Sequence, residues 1–446
     1  MPLLDTDQAL TRNSYYAATA PRAAAFPPLL GEARCDVAVV GGGLAGLSAA
    51  LELRQRGFDV VLLESREIGF GASGRNGGQA IHGLACDQDV IEQQLGLDEA
   101  RRVWAMSIEA LDLLRGRIAE HGIDCDWQDG YLGVATTPRK AAALHAQAER
   151  LEQVYGYPLA RIAAAELGRW IASARYCGAV HDPRSGHLHP LKYTRGLAAA
   201  AARAGVRLHE GTQASALVPG ERPMLRTTSA QGGGTLHARQ VLLAGNAYLH
   251  GVAPPLAPTL AARVMPVGTY IACTEVLPRA TADALIPDRS AVCDTNFVLD
   301  YFRTTADHRM LYGGRVSYST VTPARLAESL RQRMVGTFPQ LAGAKVEFAW
   351  GGFVDISMNR APDFGRLPPA TPGGPANVYY LQGFSGHGLA LTGLAGRLVA
   401  EAMGGDSSRF DVFARLRHRP FPGGPWLRTP ALVLGMAWYR LRDMLG

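Results

Sequence analysis

The chain has 446 residues, a net charge of +6 and a hydrophobic fraction of 47%, enough for one large or two medium domains with a sizeable core. Its arginines are spread along the sequence without a long basic run, which argues against a nucleic-acid-binding patch. The six cysteines are far apart and form no CxxC pair. The sequence therefore predicts neither a disulfide framework nor a metal site, and it favours a reducing compartment.

Signals for secretion or membrane insertion are weak. The sequence does not begin with a basic region followed by an apolar stretch, as a signal peptide does. The longest late apolar stretch, 431–438, is far shorter than the ~20 residues that span a bilayer. Its flanking arginines allow a peripheral membrane contact, although a C-terminal helix docked on the protein is the simpler interpretation. We expect a cytoplasmic protein without a transmembrane segment.

A segment near the start has the order strand, glycine-rich turn, helix, strand and acid. Val37–Val40 is an apolar run typical of a buried strand, and Gly41, Gly43 and Gly46 follow it as G-x-G-x-x-G. The next residues have a helical pattern, and a second apolar run ends at Glu64. This order is typical of a βαβ unit that binds a dinucleotide.

Each part of this unit has a physical reason. Gly41 permits the tight turn, Gly43 lets backbone N–H groups approach a pyrophosphate, and Gly46 lets the helix pack closely on the strand. The positive end of the helix dipole meets the phosphates. Glu64 is placed to accept hydrogen bonds from both ribose hydroxyls, and its charge disfavours a 2′-phosphate. The cofactor is therefore expected to be FAD or NAD rather than NADP.

The rest of the chain alternates between helical and strand patterns. The predicted elements, in chain order, are helices at 88–120, a strand pair at 127–136, helices at 138–155, 163–170 and 191–204, a strand at 206–210, a hairpin around 232–234, a strand at 240–244, antiparallel strands at 264–276 and 297–318, a helix at 325–338, a strand at 378–381 and a helix at 389–403. The strands from 206 to 244 are expected to extend the first sheet.

These elements predict an α/β fold in which a Rossmann-like dinucleotide domain is interleaved with a mostly antiparallel α+β substrate domain. The dinucleotide domain is expected at 34–90, 185–262 and 350–412, and the substrate domain at 91–184 and 263–349. Residues 1–33 are expected to form an N-terminal extension and 413–446 a helical C-terminal tail.

Three glycine-rich loops follow buried strands, at 41–46, 69–79 and 382–388. The second is nearly free of bulky side chains, so a flat ring could lie against its backbone. The third leads into a helix whose N-terminus favours negative charge, which accumulates at one end of a reduced flavin. NAD would need only the first loop. The three loops together therefore favour FAD.

Six further segments are distinctive: Ser14-Tyr15-Tyr16, GASGRNGGQ at 71–79, HLHPLKYTRGLA at 187–198, LYGGRVSYS at 311–319, WGGFVDISMNRAPDFGRL at 350–367 and YYLQGFSGHGLALT at 379–392. Together they resemble the FAD-dependent D-amino-acid-oxidase-like oxidoreductases, and within them the gamma-glutamylputrescine oxidoreductase group. The resemblance covers nearly the whole chain and implies a fold similar to glutathione reductase and D-amino-acid oxidase.

The resemblance also implies which residues bind FAD. The ADP half is expected at Gly41, Gly43, Leu44, Ala45, Gly46, Glu64 and Ser65, with the adenine at the Ala214 backbone and neighbouring contacts at Ala244 and Gly245. The flavin is expected along Gly71, Ala72, Ser73, Arg75, Asn76, Gly77, Gly78 and Gln79. Its pyrimidine end is expected at Gly383, Phe384, Ser385, Gly386, His387, Gly388 and Leu389. No cysteine lies near this last loop, so attachment is expected to be noncovalent.

The reaction of similar enzymes removes a hydride from the carbon next to an amine and delivers it to flavin N5. The imine hydrolyses to an aldehyde and ammonia, and oxygen reoxidises the flavin to give hydrogen peroxide. Only the neutral amine can release this hydride. An alkyl amine with a pKa near ~10.4 must be shifted by about 4.6 kcal/mol at pH 7, which burial beside aromatics and cations could supply. No dedicated general base is therefore required.

Candidates on the substrate side come from the alternating strands and the third loop. Arg315 is the favoured cation near the flavin, and Arg303 is a second candidate for pairing with a substrate carboxylate. Tyr301 and Trp350 could wall the amine, although buried aromatics more often belong to a core. His387 could contact the ring or serve only the structure of its loop.

Two alternatives remain open at this stage. The substrate could instead be sarcosine, glycine or another amino acid, because fold alone does not choose it. The chain could also be a flavoprotein dehydrogenase or electron-transfer subunit without oxidase turnover, a version that the basic C-terminal stretch favours. The expected partners are a small amine and oxygen.

Overall fold

The structure is a computed structural model that describes residues 3–22, 25–250, 255–296, 298–317 and 325–422. The helices in this part of the chain are α1 (Leu3–Leu10), α2 (Tyr15–Thr19), α3 (Leu44–Gln55), α4 (Gln88–Leu95), α5 (Leu97–His121), α6 (Pro138–Tyr155), α7 (Pro190–Arg203), α8 (Pro258–Ala261), α9 (Arg279–Leu285), α10 (Leu326–Thr337), α11 (Gly388–Met403) and α12 (Phe410–Ala414). Short 3₁₀ turns lie at Ala72–Gly74, Ala164–Arg169, Asn246–His250 and Pro339–Leu341.

The strands are β1 (Gly31–Arg34), β2 (Val37–Val40), β3 (Val60–Leu63), β4 (Gln79–Ala80), β5 (Gln128–Ala135), β6 (Ala160–Ala163), β7 (Gly178–His187), β8 (Arg207–His209), β9 (Gln213–Val218), β10 (Met224–Ser229), β11 (Gly232–His237), β12 (Gln240–Leu243), β13 (Val264–Thr274), β14 (Ala291–Asp294), β15 (Tyr301–Thr304), β16 (Met310–Ser317), β17 (Val346–Ser357), β18 (Asp363–Arg366) and β19 (Val378–Gln382). Within the described residues they form three sheets.

The central sheet has six strands in the order β18-β19-β12-β2-β3-β8, all parallel except β18. Strands β2 and β3 are buried along their whole length, as expected for a parallel sheet that is covered on both faces. One face packs against α3, α5, α7 and α11. The other face packs against the four-stranded sheet. The predicted order of strand, helix and strand at 37–64 is confirmed.

The four-stranded sheet has the order β1-β11-β10-β9. The hairpin predicted around 232–234 is present as the antiparallel pair β10–β11. The expectation that all strands from 206 to 244 extend the first sheet is wrong, because only β8 and β12 join it. The hairpin pairs instead with β1, a strand of the N-terminal region, and alternation of apolar residues cannot specify such a distant partner.

The third sheet has the order β17-β13-β16-β15-β14-β5-β7-β4, with β6 paired to β7. Among its described pairs β5 and β14 run parallel and the others are antiparallel. Its core lies on the face that α9 and α10 cover, where Phe302 stacks on Tyr312 with ring centroids 5.3 Å apart. This sheet matches the predicted mostly antiparallel architecture.

Two local predictions need correction, and a third is confirmed. The strand pair predicted at 127–136 is the single strand β5, because Gly130 forms a β-bulge with a φ of 106° rather than a turn. The helix predicted at 163–170 is a 3₁₀ turn that follows β6. The helices predicted at 88–120 are confirmed as α4 and α5, which are separated at Gly96.

The remaining predictions concern boundaries and membrane contact. Among the described helices none combines the length and the apolar character that crossing a membrane requires. The stretch at 431–438, and with it the suggested peripheral contact, lies outside the described residues. The domain boundaries stay a prediction.

The contact between α3 and α11 can be tested by mutation. A Cβ at Gly396 would lie 2.5 Å from both the backbone nitrogen of Ala49 and the Cβ of Ser48, so the two helices would have to separate. We expect Gly396→Ala to lower the free energy of unfolding in urea by about 1–3 kcal/mol.

Gly116→Ala is the matched control, because Gly116 is also helical and its Cβ would meet nothing within 4 Å. That variant should be stabilised by up to about 1 kcal/mol through the better helix propensity of alanine. Equal stability of the two variants would contradict the packing described here.

Candidate active site

A cavity of about 970 Å³ lies at the carboxyl ends of the central parallel strands. Residues that follow β2, β3 and β12, such as Gly41, Glu64 and Gly245, form one wall. The third sheet, which has nine strands, forms the opposite wall, and Tyr301 and Gly352 are among its residues there. Ligands of open α/β sheets bind at this end of the strands, and the volume is at the upper end of the range for small-molecule sites.

The turn after β2 is held by close backbone contacts. Gly41 has a φ of 116°, and a Cβ there would lie 2.6 Å from the carbonyl oxygen of Ala244. A Cβ at Gly46 would overlap the carbonyl oxygen of Gly41, so α3 can approach β2 only because this residue is glycine. The Leu44 N–H, in the first turn of α3, donates to Ser73 Oγ at 2.9 Å. The first and second glycine-rich loops therefore meet at the helix N-terminus.

Glu64 is fixed by three donors. The backbone N–H groups of Gly42 and Arg66 donate to its carboxylate at 2.7 and 2.8 Å, and the Ser65 hydroxyl does so at 3.3 Å. Burial raises the pKa of Glu64, and the amide hydrogen bonds from Arg66 and Gly42 oppose that rise. Glu64 and Ala214 both line the cavity. The ribose of a dinucleotide was predicted at Glu64, and the adenine at the backbone of Ala214.

The second loop is anchored by the N-terminal helix. Arg75 pairs with Asp7 of α1 at 2.7 Å, and its guanidinium lies 4.2 Å from the centre of the Phe70 ring. The Tyr248 hydroxyl also donates to Asp7. Burial raises the pKa of Asp7, and the Arg75 charge opposes that rise. A residue of the N-terminal region thus holds the second loop in place.

Asn76 organises the turn of the second loop. Its side-chain nitrogen donates to the carbonyl oxygens of Ala72 at 2.8 Å and Ser73 at 3.2 Å, and its oxygen accepts from the Gly78 N–H at 2.8 Å. The Gln79 side chain donates to the carbonyl of Val292 at 3.1 Å, which ties the loop to the nine-stranded sheet.

Hydrogen bonds to Asp355 hold the third loop in place. This carboxylate accepts from the Gly383 N–H, and the Asn246 amide, oriented with its nitrogen toward Asp355, donates to it at 2.7 Å. Burial raises the pKa of Asp355 to about 6, although the Gly383 amide opposes the rise. The Asp355 carbonyl accepts from the Ser385 N–H at 3.0 Å. One strand residue therefore fixes both sides of this loop.

His387 has a structural role in the same loop. Its Nε2 lies 2.9 Å from the carbonyl oxygen of His82 and 3.1 Å from that of Ile81, so Nε2 carries the proton. Burial and the neighbouring His82 lower the pKa of His387 to about 4. At neutral pH the ring is uncharged and joins the third loop to the residues after the second.

Most predicted FAD-binding residues lie in the cavity wall. They are Gly41, Gly43, Leu44, Ala45, Glu64, Ser65, Gly71, Ala72, Ser73, Arg75, Asn76, Gly77, Gln79, Ala214, Ala244, Gly245, Phe384, Ser385, Gly386, His387, Gly388 and Leu389. Gly46, Gly78 and Gly383 lie behind the wall. Their backbones shape the three loops, and a Cβ at Gly78 would overlap the carbonyl oxygen of Leu188.

The substrate-side candidates separate into two groups. Tyr301 and His387 line the cavity. Arg303 is buried behind it, where its guanidinium donates to the carbonyl oxygens of Gly77 at 2.8 Å and Leu188 at 3.0 Å.

Trp350 also belongs to the core, because it is fully buried and its Nε1 donates to the Arg75 carbonyl at 3.0 Å. Arg315 lies on β16, opposite Tyr270 of β13, and its side chain is outside the described part of the structure. The role suggested for Arg315 stays a prediction.

Sequence reasoning missed Asp294, which ends β14 and lines the cavity. Burial and the neighbouring Asp300 raise the pKa of Asp294 to about 6. Its oxygens accept from the Asp300 N–H at 3.1 Å and from the Asn296 side chain at 2.7 Å. The sequence did contain a signal for Asp294, an acid at the end of a short apolar strand, which is the pattern that identified Glu64.

Cys293 also lines the cavity, on the same strand. Burial and the charge of Asp294 raise the pKa of Cys293, so it stays a protonated thiol at neutral pH. A thiol is a poor nucleophile compared with a thiolate. The noncovalent attachment of FAD stays a prediction.

Comparison with known proteins identifies the family. A family model described as "FAD dependent oxidoreductase" matches residues 36–402. The chain belongs to this family. The predicted resemblance, the α/β fold class and the FAD cofactor are therefore confirmed. The cavity is suited to FAD, because glycines keep the turn after β2 free of side chains and the Glu64 carboxylate lines the cavity.

Individual relatives of this FAD-dependent oxidoreductase cover nearly its full length. It is 44% identical to gamma-glutamylputrescine oxidoreductase of Escherichia coli K12, over 97% of this chain and 99% of that protein. It is 36% identical to a probable oxidoreductase, OrdL, of Haemophilus influenzae, over 96% and 97% of the two chains. The crystal structure of glycine oxidase from Geobacillus kaustophilus has a TM-score of 0.68 at 22% identity, over 83% of this chain and 95% of that one. The last similarity shows the fold alone.

The buried carboxylate under the third loop predicts a pH dependence of stability. The pKa of Asp355, about 6, lies above the ~3.9 of an aspartate in an unfolded chain. Between about pH 4 and 6 the folded protein therefore holds a proton that the unfolded chain has released. The contribution of Asp355 to the free energy of unfolding falls as the pH rises through this window and is constant above it.

We expect Asp355→Asn to remove this part of the pH dependence. In urea unfolding of the FAD-loaded protein, the free energy of unfolding of the wild type should fall by about 1 kcal/mol more than that of the variant between pH 5 and pH 7. Glu32→Gln, at an exposed position of β1, is the control and should leave the slope unchanged. A variant with the wild-type slope would show that Asp355 does not hold the extra proton.

Proposed function

We propose that the protein is an amine oxidoreductase whose substrate is gamma-glutamylputrescine or a similar polyamine-derived amine, with oxygen as the electron acceptor. The observation that carries the proposal is the 44% identity, over nearly all of both chains, to the Escherichia coli protein named gamma-glutamylputrescine oxidoreductase. The cavity supports it, because its walls bring three glycine-rich loops together with aromatic and charged side chains.

When bound, FAD supplies the acceptor for the hydride that leaves the carbon next to the amine, and oxygen as final acceptor gives hydrogen peroxide. The protein must bind the amine, orient it and favour its neutral form. A free alkyl amine, with a pKa near ~10.4, is neutral in roughly one molecule per few thousand at pH 7. Burial of the amine lowers this pKa.

Two tyrosines provide such an environment. Tyr301 and Tyr131 both line the cavity, and burial raises the pKa of each phenol, so both remain uncharged at neutral pH. An ammonium between uncharged rings loses hydration, which favours release of its proton. The two rings also restrict the orientation of a flexible alkyl amine.

Asp294 adds an electrostatic attraction. With a pKa of about 6 it is roughly nine-tenths ionised at pH 7, and it lines the same cavity as the two tyrosines. This charge, partly offset by Arg175 at 3.8 Å, attracts a cationic amine into the cavity. Because a nearby carboxylate favours the ammonium, the loss of hydration beside the tyrosines must outweigh it for the neutral amine to form. His387 is neutral and hydrogen-bonded to backbone, so it holds the third loop rather than transferring protons.

The test is anaerobic bleaching of the flavin absorbance near ~450 nm by a panel of amines. We expect gamma-glutamylputrescine to bleach the purified protein rapidly, whereas sarcosine and free putrescine should act at least about tenfold more slowly, because each lacks the glutamyl head. Oxygen consumption with stoichiometric hydrogen peroxide should follow when air is admitted.

Each alternative has its own outcome. Bleaching by sarcosine or glycine in preference to gamma-glutamylputrescine would contradict the proposed substrate. Rapid anaerobic bleaching followed by slow reoxidation in air would contradict oxygen as acceptor. A FAD-loaded protein that no amine bleaches would contradict the amine oxidoreductase itself.

A further inference from the structure

One arginine stands at the rim of the cavity with its side chain exposed. Arg360 lines the cavity and follows β17, in the turn that leads to β18. Among the described residues no hydrogen bond or ion pair engages its guanidinium. We propose that Arg360 binds the carboxylate of the glutamyl head of the substrate, an inference that rests on the proposed function.

The other charged groups of the cavity already have partners. Arg75 is paired with Asp7 at 2.7 Å. Glu64 accepts from the Gly42 N–H at 2.7 Å, and Asp355 accepts from that of Gly383. Within the described residues Arg360 is therefore the guanidinium in this wall that remains able to bind an anion.

The backbone at Arg360 supports a role for its side chain. Its φ of 60° lies in the left-handed region, which is unfavourable for an arginine and easy for a glycine. The turn is fixed, because the Arg360 N–H donates to the Ser357 carbonyl at 3.1 Å and the Ala361 N–H donates to Asn359 Oδ1 at 3.2 Å. The Asn359 side chain donates to the Arg417 carbonyl at 3.1 Å. A strained arginine on a rigid turn agrees with a functional position.

Arg360 lies near the part of the cavity in which we place the substrate amine. Burial and His82 account for most of the lowered pKa of His387, and the Arg360 charge adds to that lowering. The same charge acts on the Cys293 thiol, whose pKa is raised by burial and Asp294. Arg360 thus lies near enough to His387 and Cys293, the residue before Asp294, for its charge to act on both, and a long substrate could reach Arg360 and Asp294 together.

Together, the charges of Arg360 and Asp294 would favour binding of an acylated diamine over a free diamine. The planar guanidinium can bind a carboxylate through two parallel hydrogen bonds. A substrate with a carboxylate on its zwitterionic head and a cationic tail would place the carboxylate at Arg360 on the rim and the tail near Asp294 within the cavity. A free diamine carries a positive charge at both ends, and Arg360 would repel one of them.

The test compares two substrates in variants of Arg360. For Arg360→Gln we expect the dissociation constant of gamma-glutamylputrescine, from anaerobic flavin reduction, to rise about 10- to 100-fold, as for loss of a charge-assisted hydrogen bond. The limiting rate of reduction should change less than about twofold, because the reacting end is untouched. N-acetylputrescine, which has the same amine and no carboxylate, should be bound equally by variant and wild type.

Two further variants make the comparison specific. Arg360→Lys keeps the charge and should restore part of the affinity. Arg239→Gln removes an arginine that is 71% exposed, paired with Asp36 and absent from the cavity wall, and it should change neither substrate. Equal weakening of both substrates by Arg360→Gln, or no weakening of either, would overturn the proposal.

A binding measurement separates this inference from the proposed function. Gamma-glutamyl-n-butylamide keeps the glutamyl head and lacks the terminal amine, and its binding can be followed by the change in the flavin spectrum. Weaker binding to Arg360→Gln than to wild type would support Arg360 even if gamma-glutamylputrescine failed to reduce the wild-type protein. Equal binding would contradict the role of Arg360 whatever the reaction.

Discussion

The turn between β2 and α3 fixes the position of everything around the cavity. At Gly46 the helix lies so close to the strand that a Cβ would overlap the Gly41 carbonyl oxygen, and a Cβ at Gly41 would lie 2.6 Å from the Ala244 carbonyl oxygen. These contacts bring the N-terminus of α3 and the ends of β2 and β12 to one edge of the sheet. The helix dipole and the strand ends therefore point into a common space.

The second and third loops are tied into this frame by buried charges rather than by apolar packing. Asp7 pairs with Arg75 in the second loop, and Asp355 accepts the Gly383 amide of the third. Breaking such a pair leaves an uncompensated buried charge, which is costly, so each loop is held in one arrangement. Arg360 stays exposed at the rim of the cavity, and Asp294, although buried, lines the same cavity.

The sequence predicted what local pattern controls. The βαβ unit ending at Glu64 and the three glycine-rich loops follow from residue spacing, and they supply most of the cavity wall. Pairing across long distances was not predictable, as the β1–β11 pair and the contact of Asp7 with Arg75 show. An arginine in a strand pattern likewise does not reveal whether it faces a ligand or, as Arg303 does, backbone carbonyls.

We expect one cavity to hold FAD between the three loops and to leave its far end to the amine. A crystal structure of the FAD-loaded protein tests this claim most directly. The account predicts the adenosine end beside Glu64 and Ala214 and the ring system between Gly71–Gln79 and Ser385–Leu389, with Tyr301 left facing open space. A dinucleotide bound in the reverse orientation, or outside this cavity, would contradict it.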